Sequence, residues 1–205
     1  MACHFSPYST GLSNLPASLP EGSLLILNDR TPIHRHDPVQ IREALNGLTA
    51  SLGCRGVLLD FEAKGNPEAA ALARYLAENL PCPVGVSAPY AVDGSPIFLP
   101  PVPLDTPLSH YLAPWRGREI WLDTALDALE IRLTEQGASF LPVPREAPRE
   151  TDREDTALHC RYRIALEDTC VRFTLYRTRE SVEALLREAE TYGVTAAVGL
   201  YQEWK

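Results

Sequence analysis

The chain has 205 residues, of which 45% are hydrophobic and 22% charged, with a formal net charge of −8. Such a chain suits one domain with a sizeable core, and its acidic balance argues against a nucleic-acid backbone or an anionic membrane surface as partner. No apolar run approaches the ~20 residues that span a bilayer. The first residues, Met1 to Pro7, lack the basic and apolar regions of a secretion signal, so a cytoplasmic location is expected. Five cysteines (Cys3, Cys54, Cys82, Cys160, Cys170) without C-x-x-C spacing read as reduced, mostly buried thiols.

In chain order, residues 1–22 are rich in Pro, Ser and Gly and read as an N-terminal arm. Ser23–Asn28 is a short apolar strand that ends at Asp29. A loop, Arg30–Asp37, carries His34 and His36, and Asp37-Pro38 is a good helix start because Pro fits the first helical position. Pro38–Leu52 is then a helix with Ile41, Leu45 and Leu48 on one stripe. Gly56–Glu62 is the central strand, Pro67–Asn79 an Ala-rich helix stopped by Pro81 and Pro83, and Val84–Pro89 a third strand. Residues 91–117 are proline-rich and read as one long loop. Glu119–Asp123 is a fourth strand, Ala125–Leu133 is open between helix and strand, and Ala138–Val143 reads as a fifth. The charged stretch 144–157 is expected to be a mobile loop. His159–Leu166 and Cys170–Tyr176 alternate as a β-hairpin, Thr178–Tyr192 is an amphipathic helix, and Ala196–Tyr201 is the last strand.

Apolar strands alternating with helices are the grammar of parallel sheets, whose faces are both covered. The expected fold is therefore an α/β, TIM-like (β/α) barrel. A full barrel usually takes about 250 residues, so six to seven strands are expected here, in a single domain over 1–205. An incomplete barrel exposes strand edges, which makes a homodimer an expected partner arrangement.

Working groups of such sheets sit at the carboxyl ends of the strands. Gly56–Glu62 ends there in two carboxylates, Asp60 and Glu62. Side chains alternate along a strand, so the two share a face, with Cα atoms roughly 6.5 Å apart at about 3.3 Å per residue. Carboxylates that close repel each other, and one pKa is expected to rise. The competing reading is ordinary: a strand-end Asp is often a cap, and a Glu there is often merely solvated.

The segment Gly-Val-Leu-Leu-Asp-Phe-Glu, residues 56–62, resembles the fourth-strand signature of family 18 glycoside hydrolases, the chitinase-like barrels. It is most similar to the branch of spore-cortex-lytic and peptidoglycan-acting enzymes, which makes a sporulation-associated role an expectation. Val84–Tyr90 resembles the following strand with its Ala-x-Pro, and Thr178–Trp204 resembles the last helix and strand. The resemblance implies a hydrolase of N-acetylated amino-sugar glycans in which the substrate's acetamido group is the nucleophile. Glu62 would then be the general acid, with the raised pKa of the pair, and Asp60 the residue that holds the acetamido group. Two departures stand out. Upstream acids of the longer motif are replaced by Arg55 and Leu58. The tyrosine expected on the sixth strand is absent from Ile120-Trp121-Leu122-Asp123, although Asp123 matches the acid there.

Sugar rings present apolar faces that suit aromatic platforms. Tyr90, Tyr176, Tyr201 and Trp204, with Asp123, are thus the candidate substrate-binding residues, each with ordinary packing as its competing reading. An inactive glycan- or protein-binding module on the same scaffold is the alternative function. A metal-dependent hydrolase using His34 and His36 is a third, and it lacks a matching third ligand. No G-x-S-x-G, P-loop or G-x-G-x-x-G occurs, so no cofactor is expected.

Overall fold

In the computed structural model, which describes residues 19–20, 22–30 and 36–199, the elements follow the sequence closely at first. Strand β1 (Leu24–Asn28) leads to helix α1 (Pro38–Leu52), then β2 (Gly56–Asp60), α2 (Pro67–Asn79) and β3 (Val84–Ser87). Each helix starts where its sequence says. The Asp37 side chain accepts a hydrogen bond from the Val39 N–H at α1, with Pro38 in the first turn. The Asn66 side chain accepts from Glu68 and Ala69 at α2. Helix α1 ends on Gly53, whose N–H donates to the Thr49 carbonyl and whose left-handed backbone (φ 66°) brings the Cys54 N–H to the same oxygen at 2.9 Å.

Beyond β3 come β4 (Ile97–Leu99), the short helix α3 (Leu108–Leu112), β5 (Ile120–Asp123), then β6 (Ala128–Thr134), β7 (Gly137–Pro142), β8 (Arg153–Asp155), β9 (Cys160–Glu167) and β10 (Cys170–Tyr176). Helix α4 (Arg179–Ala189) and β11 (Val194–Val198) complete the order. The chain divides into two compact units, residues 1–100, 117–123 and 194–205 in one and residues 101–116 and 124–193 in the other.

The first unit is built on a six-stranded parallel sheet in the order β1-β2-β3-β4-β5-β11. It is an incomplete TIM-like barrel, with the six strands at the lower end of the expected six to seven. Alternation along each strand splits its side chains between two clusters. Leu25, Leu27, Val57, Leu59, Val84 and Val86 meet Ile41 and Leu45 of α1 and Leu72, Ala73 and Leu76 of α2. Leu24, Leu58, Phe98, Trp121 and Val198 point the other way and pack on one another. Gly85 makes room for this second cluster, because a Cβ there would come within 2.3 Å of the Trp121 ring. Burying a Leu or Val side chain contributes roughly 1.5–3 kcal/mol, so the fully buried run Val57–Leu59 anchors β2 between β1 and β3.

The second unit holds a five-stranded antiparallel sheet in the order β7-β6-β10-β9-β8. The expected hairpin over 159–176 is present as β9 and β10, paired in register Cys170↔Glu167 through Tyr176↔Arg161. Leu104, Cys160 and Leu175 form its small core, joined by Leu129, Ile131, Tyr162 and Phe173. Helix α4 starts on a capping box, Thr178 and Ser181 each accepting from the other's backbone N–H, and buries Val182, Leu185 and Ala189.

Several expectations are corrected. The proline-rich stretch 91–117 contains β4, three residues too short to show a period; its register comes from β3 and β5, on which it lies. The ambiguous stretch Ala125–Leu133 is strand β6. Ala138–Val143, expected in the barrel, belongs to β7, which pairs antiparallel with β6 and is exposed along its whole length. A strand of a parallel barrel needs cover on both faces, and β7 has none. The charged stretch 144–157 contains β8 and buries Asp152, so part of it is ordered by its charges. The last strand begins earlier, at Val194.

Candidate functional site

Strand β2 ends at Asp60, two residues before the expected end, and Glu62 lies in the irregular segment that follows. The alternation nevertheless continues. Phe61 is fully buried against the helix-side cluster, whereas Asp60 is half-buried on the opposite side and Glu62 is exposed. Asp60 feels its neighbour directly. Burial pushes the Asp60 carboxyl above the usual carboxylate range, the Glu62 charge pushes it further, Arg30 partly offsets this, and Asp29 adds to it. The raised pKa thus belongs to Asp60, where the expectation named Glu62.

The segment bearing Glu62 is fixed by side chains from the neighbouring strand ends. Asp29, just after β1, accepts hydrogen bonds from the backbone N–H groups of Glu62 and Ala63 at 3.1 and 2.9 Å. Ser87, the last residue of β3, donates its hydroxyl to the Phe61 carbonyl at 2.7 Å and accepts from the Phe61 N–H at 3.1 Å. In effect it continues the β2–β3 ladder by one residue after the strands diverge. The Tyr90 hydroxyl donates to the Ala63 carbonyl and accepts from the Asn66 N–H at 3.3 Å, while its ring meets Phe61 edge-on at 5.9 Å. Six backbone groups between Phe61 and Asn66 are thus satisfied by three side chains. A segment held in this way keeps a functional side chain in one place.

Sequence reasoning found the two acids and missed the clamp. Asp29 and Ser87 carry only a weak signal, that of a polar residue at the end of an apolar strand, and nothing local says which backbone they will meet.

The other candidates separate. Tyr90 is buried and its hydroxyl is engaged by the Glu62 segment, which makes it a positioning residue in this structure. Asp123 ends β5, level with Val198 of β11, at the same carboxyl edge of the sheet. Trp121 is buried in the inner cluster. Tyr176 belongs to the second unit, where it is 2% exposed and donates its hydroxyl to Asp152 at 2.5 Å. Tyr201 and Trp204 lie outside the described residues, as does His34. His36 is exposed ahead of α1, and among the described residues no group of three or more His, Cys, Asp and Glu side chains is placed to hold a metal ion. No helix among them is long and apolar enough to cross a membrane.

No protein-family model matches the chain, and no curated protein matches it either. Solved structures do. A glycoside hydrolase family 18 N-acetylglucosaminidase from Paenibacillus barengoltzii superposes with a TM-score of 0.58 at 12% identity, over 88% of this chain and 78% of that one. The chitinase-like agglutinin of Robinia pseudoacacia gives 0.55 at 12% identity, over 90% and 77%. The spore cortex-lytic enzyme SleL of Bacillus cereus gives 0.53 at 14% identity, over 86% of this chain. The chain spans 55% of the length of SleL. At such identities the likeness is one of fold, and at that level the resemblance read from residues 56–62 holds.

Proposed function

We propose that the chain, which has the fold of family 18 glycoside hydrolases, is a glycosidase-like hydrolase of N-acetylated amino-sugar glycans that works by substrate-assisted acid catalysis. The carrying observation is the pair Asp60 and Glu62 at the carboxyl end of a fully buried barrel strand, on a segment clamped by Asp29, Ser87 and Tyr90. Glu62 is exposed, as a group that must reach a substrate oxygen has to be. In this reading it protonates the glycosidic oxygen as the bond to the anomeric carbon breaks. The acetamido oxygen of the same sugar attacks that carbon, and the resulting ring carries positive charge. Asp60, close behind, stabilises that charge and holds the acetamido group in line. Glu62, now a carboxylate, takes a proton from the water that opens the ring, which restores both partners. Asp123, at the same sheet edge, is the proposed further contact to the sugar. Spore cortex-lytic enzymes among the structural neighbours make peptidoglycan fragments the first substrates to try.

Trp121 favours a second reading. It fills the inner cluster on the strand where the family resemblance expects a tyrosine, and the same fold serves an agglutinin. A glycan-binding module without turnover is the alternative. Hydrolysis of N-acetylglucosamine oligomers and peptidoglycan fragments by wild type, Glu62→Gln and Asp60→Asn separates the two. Turnover lost in both variants supports the hydrolase. Binding without turnover in the wild type supports the module, and neither binding nor turnover overturns both.

A further inference from the structure

Cys54, Cys82, Cys160 and Cys170 are all free thiols, and the first two sit just ahead of neighbouring strands. Strands β2 and β3 run parallel with Val57 opposite Val84, and the Val57 N–H donates to the Pro83 carbonyl at 3.0 Å. A Cβ on Gly56 would come within 2.6 Å of that same oxygen, so the two chains are already at contact distance where the strands begin. Cys54 precedes Val57 by three residues and Cys82 precedes Val84 by two. Both cysteines lie just outside the strands and close to this contact, Cys54 two residues before Gly56 and Cys82 one before Pro83. Both side chains pack on the same cluster, the one containing Val57 and Val84, and both are partly exposed to a reagent. Burial raises the Cys54 thiol and Cys82 raises it further, as expected of two thiols within electrostatic reach.

We propose that Cys54 and Cys82 form a reversible disulfide that ties the strand carrying Asp60 to the strand carrying Ser87. With oxidised glutathione as the oxidant, one cysteine thiolate attacks the glutathione disulfide and one glutathione leaves as thiolate. The second cysteine thiolate then displaces the other glutathione from the mixed disulfide. One S–S bond is lost and one gained; the two cysteines are oxidised, two glutathione thiols are produced, and the two protein protons pass to them. Burial also raises the Cys82 thiol. Little thiolate is present at neutral pH, and the exchange quickens as pH rises.

The test uses the native chain, incubated with oxidised glutathione at pH 8.5 and mapped by mass spectrometry without reduction. The expected product is a single linked pair of peptides holding Cys54 and Cys82, 2 Da lighter than their sum, which dithiothreitol separates. The linked protein should also unfold at higher denaturant concentration, because the cross-link closes the loop containing β2 and α2. In Cys54→Ser and Cys82→Ser the link disappears and the remaining thiol carries one glutathione. Wild-type protein in which the two cysteines stay free, take up separate glutathiones, or link to other cysteines overturns the proposal.

Discussion

Two aspartates, one in each unit, show how the same side chain is turned to opposite ends. Asp60 is half-buried at the end of β2 beside Glu62, and burial and that neighbour raise its pKa. Asp152 is more deeply buried, at 7% exposure, and burial alone would push it up. The Tyr176 hydroxyl at 2.5 Å, the Arg149 N–H at 2.8 Å and the Arg163 guanidinium at 2.9 Å overcome this and hold it below the usual carboxylate range. Arg163 is itself paired with Glu146 at 2.6 Å and lies 5.6 Å over the Tyr176 ring. A carboxylate with three donors on one oxygen is a structural tie. One that faces another carboxylate is costly to ionise, which works against stability.

The comparison breaks most visibly at Glu62. Glu62→Gln keeps shape and removes the transferable proton, so hydrolysis of N-acetylglucosamine oligomers should fall about 10²–10⁴-fold. The melting temperature should hardly change, because the side chain is exposed. If activity drops only together with the melting temperature, the acid role is wrong.

Next in size is Asp152→Asn. Replacing a charged acceptor that serves three donors should cost about 1.5–3 kcal/mol of stability, read from denaturant titration. The sign with pH follows from the depressed pKa: the contribution is present above the unfolded value of about 3.9 and is lost as pH falls through the lower folded value. The wild-type advantage over Asp152→Asn should therefore shrink in acid.

Ser87→Ala removes one donor and one acceptor from Phe61, and a loss of about 1 kcal/mol is expected. Its sharper readout is kinetic. A clamp that only positions Glu62 should lower kcat more than it raises KM, whereas a direct substrate contact would change KM.

The smallest expected change is the most diagnostic. The raised pKa of Asp60 means that its ionisation disfavours the folded state, a penalty that is absent below the unfolded value and sets in as pH rises through the folded one. Asp60→Asn should accordingly melt slightly higher than wild type at pH 7, with the gap closing in acid, while activity is damaged. A variant less stable than wild type at neutral pH would show that Asp60, like Asp152, is a tie.

Features that depend only on neighbours along the chain were legible in the sequence. The apolar run Val57–Leu59 called for a strand covered on both faces, Asp37-Pro38 marked the start of α1, and alternation put Asp60 and Glu62 on the side away from Phe61. Tertiary structure decided what depends on partners supplied from elsewhere. Three apolar residues, Ile97–Leu99, carry no period of their own and become a strand because β3 and β5 offer their backbones. Residues 137–142 join an antiparallel sheet because β6 turns back on them, a choice invisible in their own composition. The grip of Asp29, Ser87 and Tyr90 on the Glu62 segment spans 24 to 34 residues of sequence. The same holds for the Asp152–Tyr176 tie, which turned a run of charges that reads as solvated chain into an ordered element. A local pattern fixes which way a side chain points; only the fold determines what it meets there.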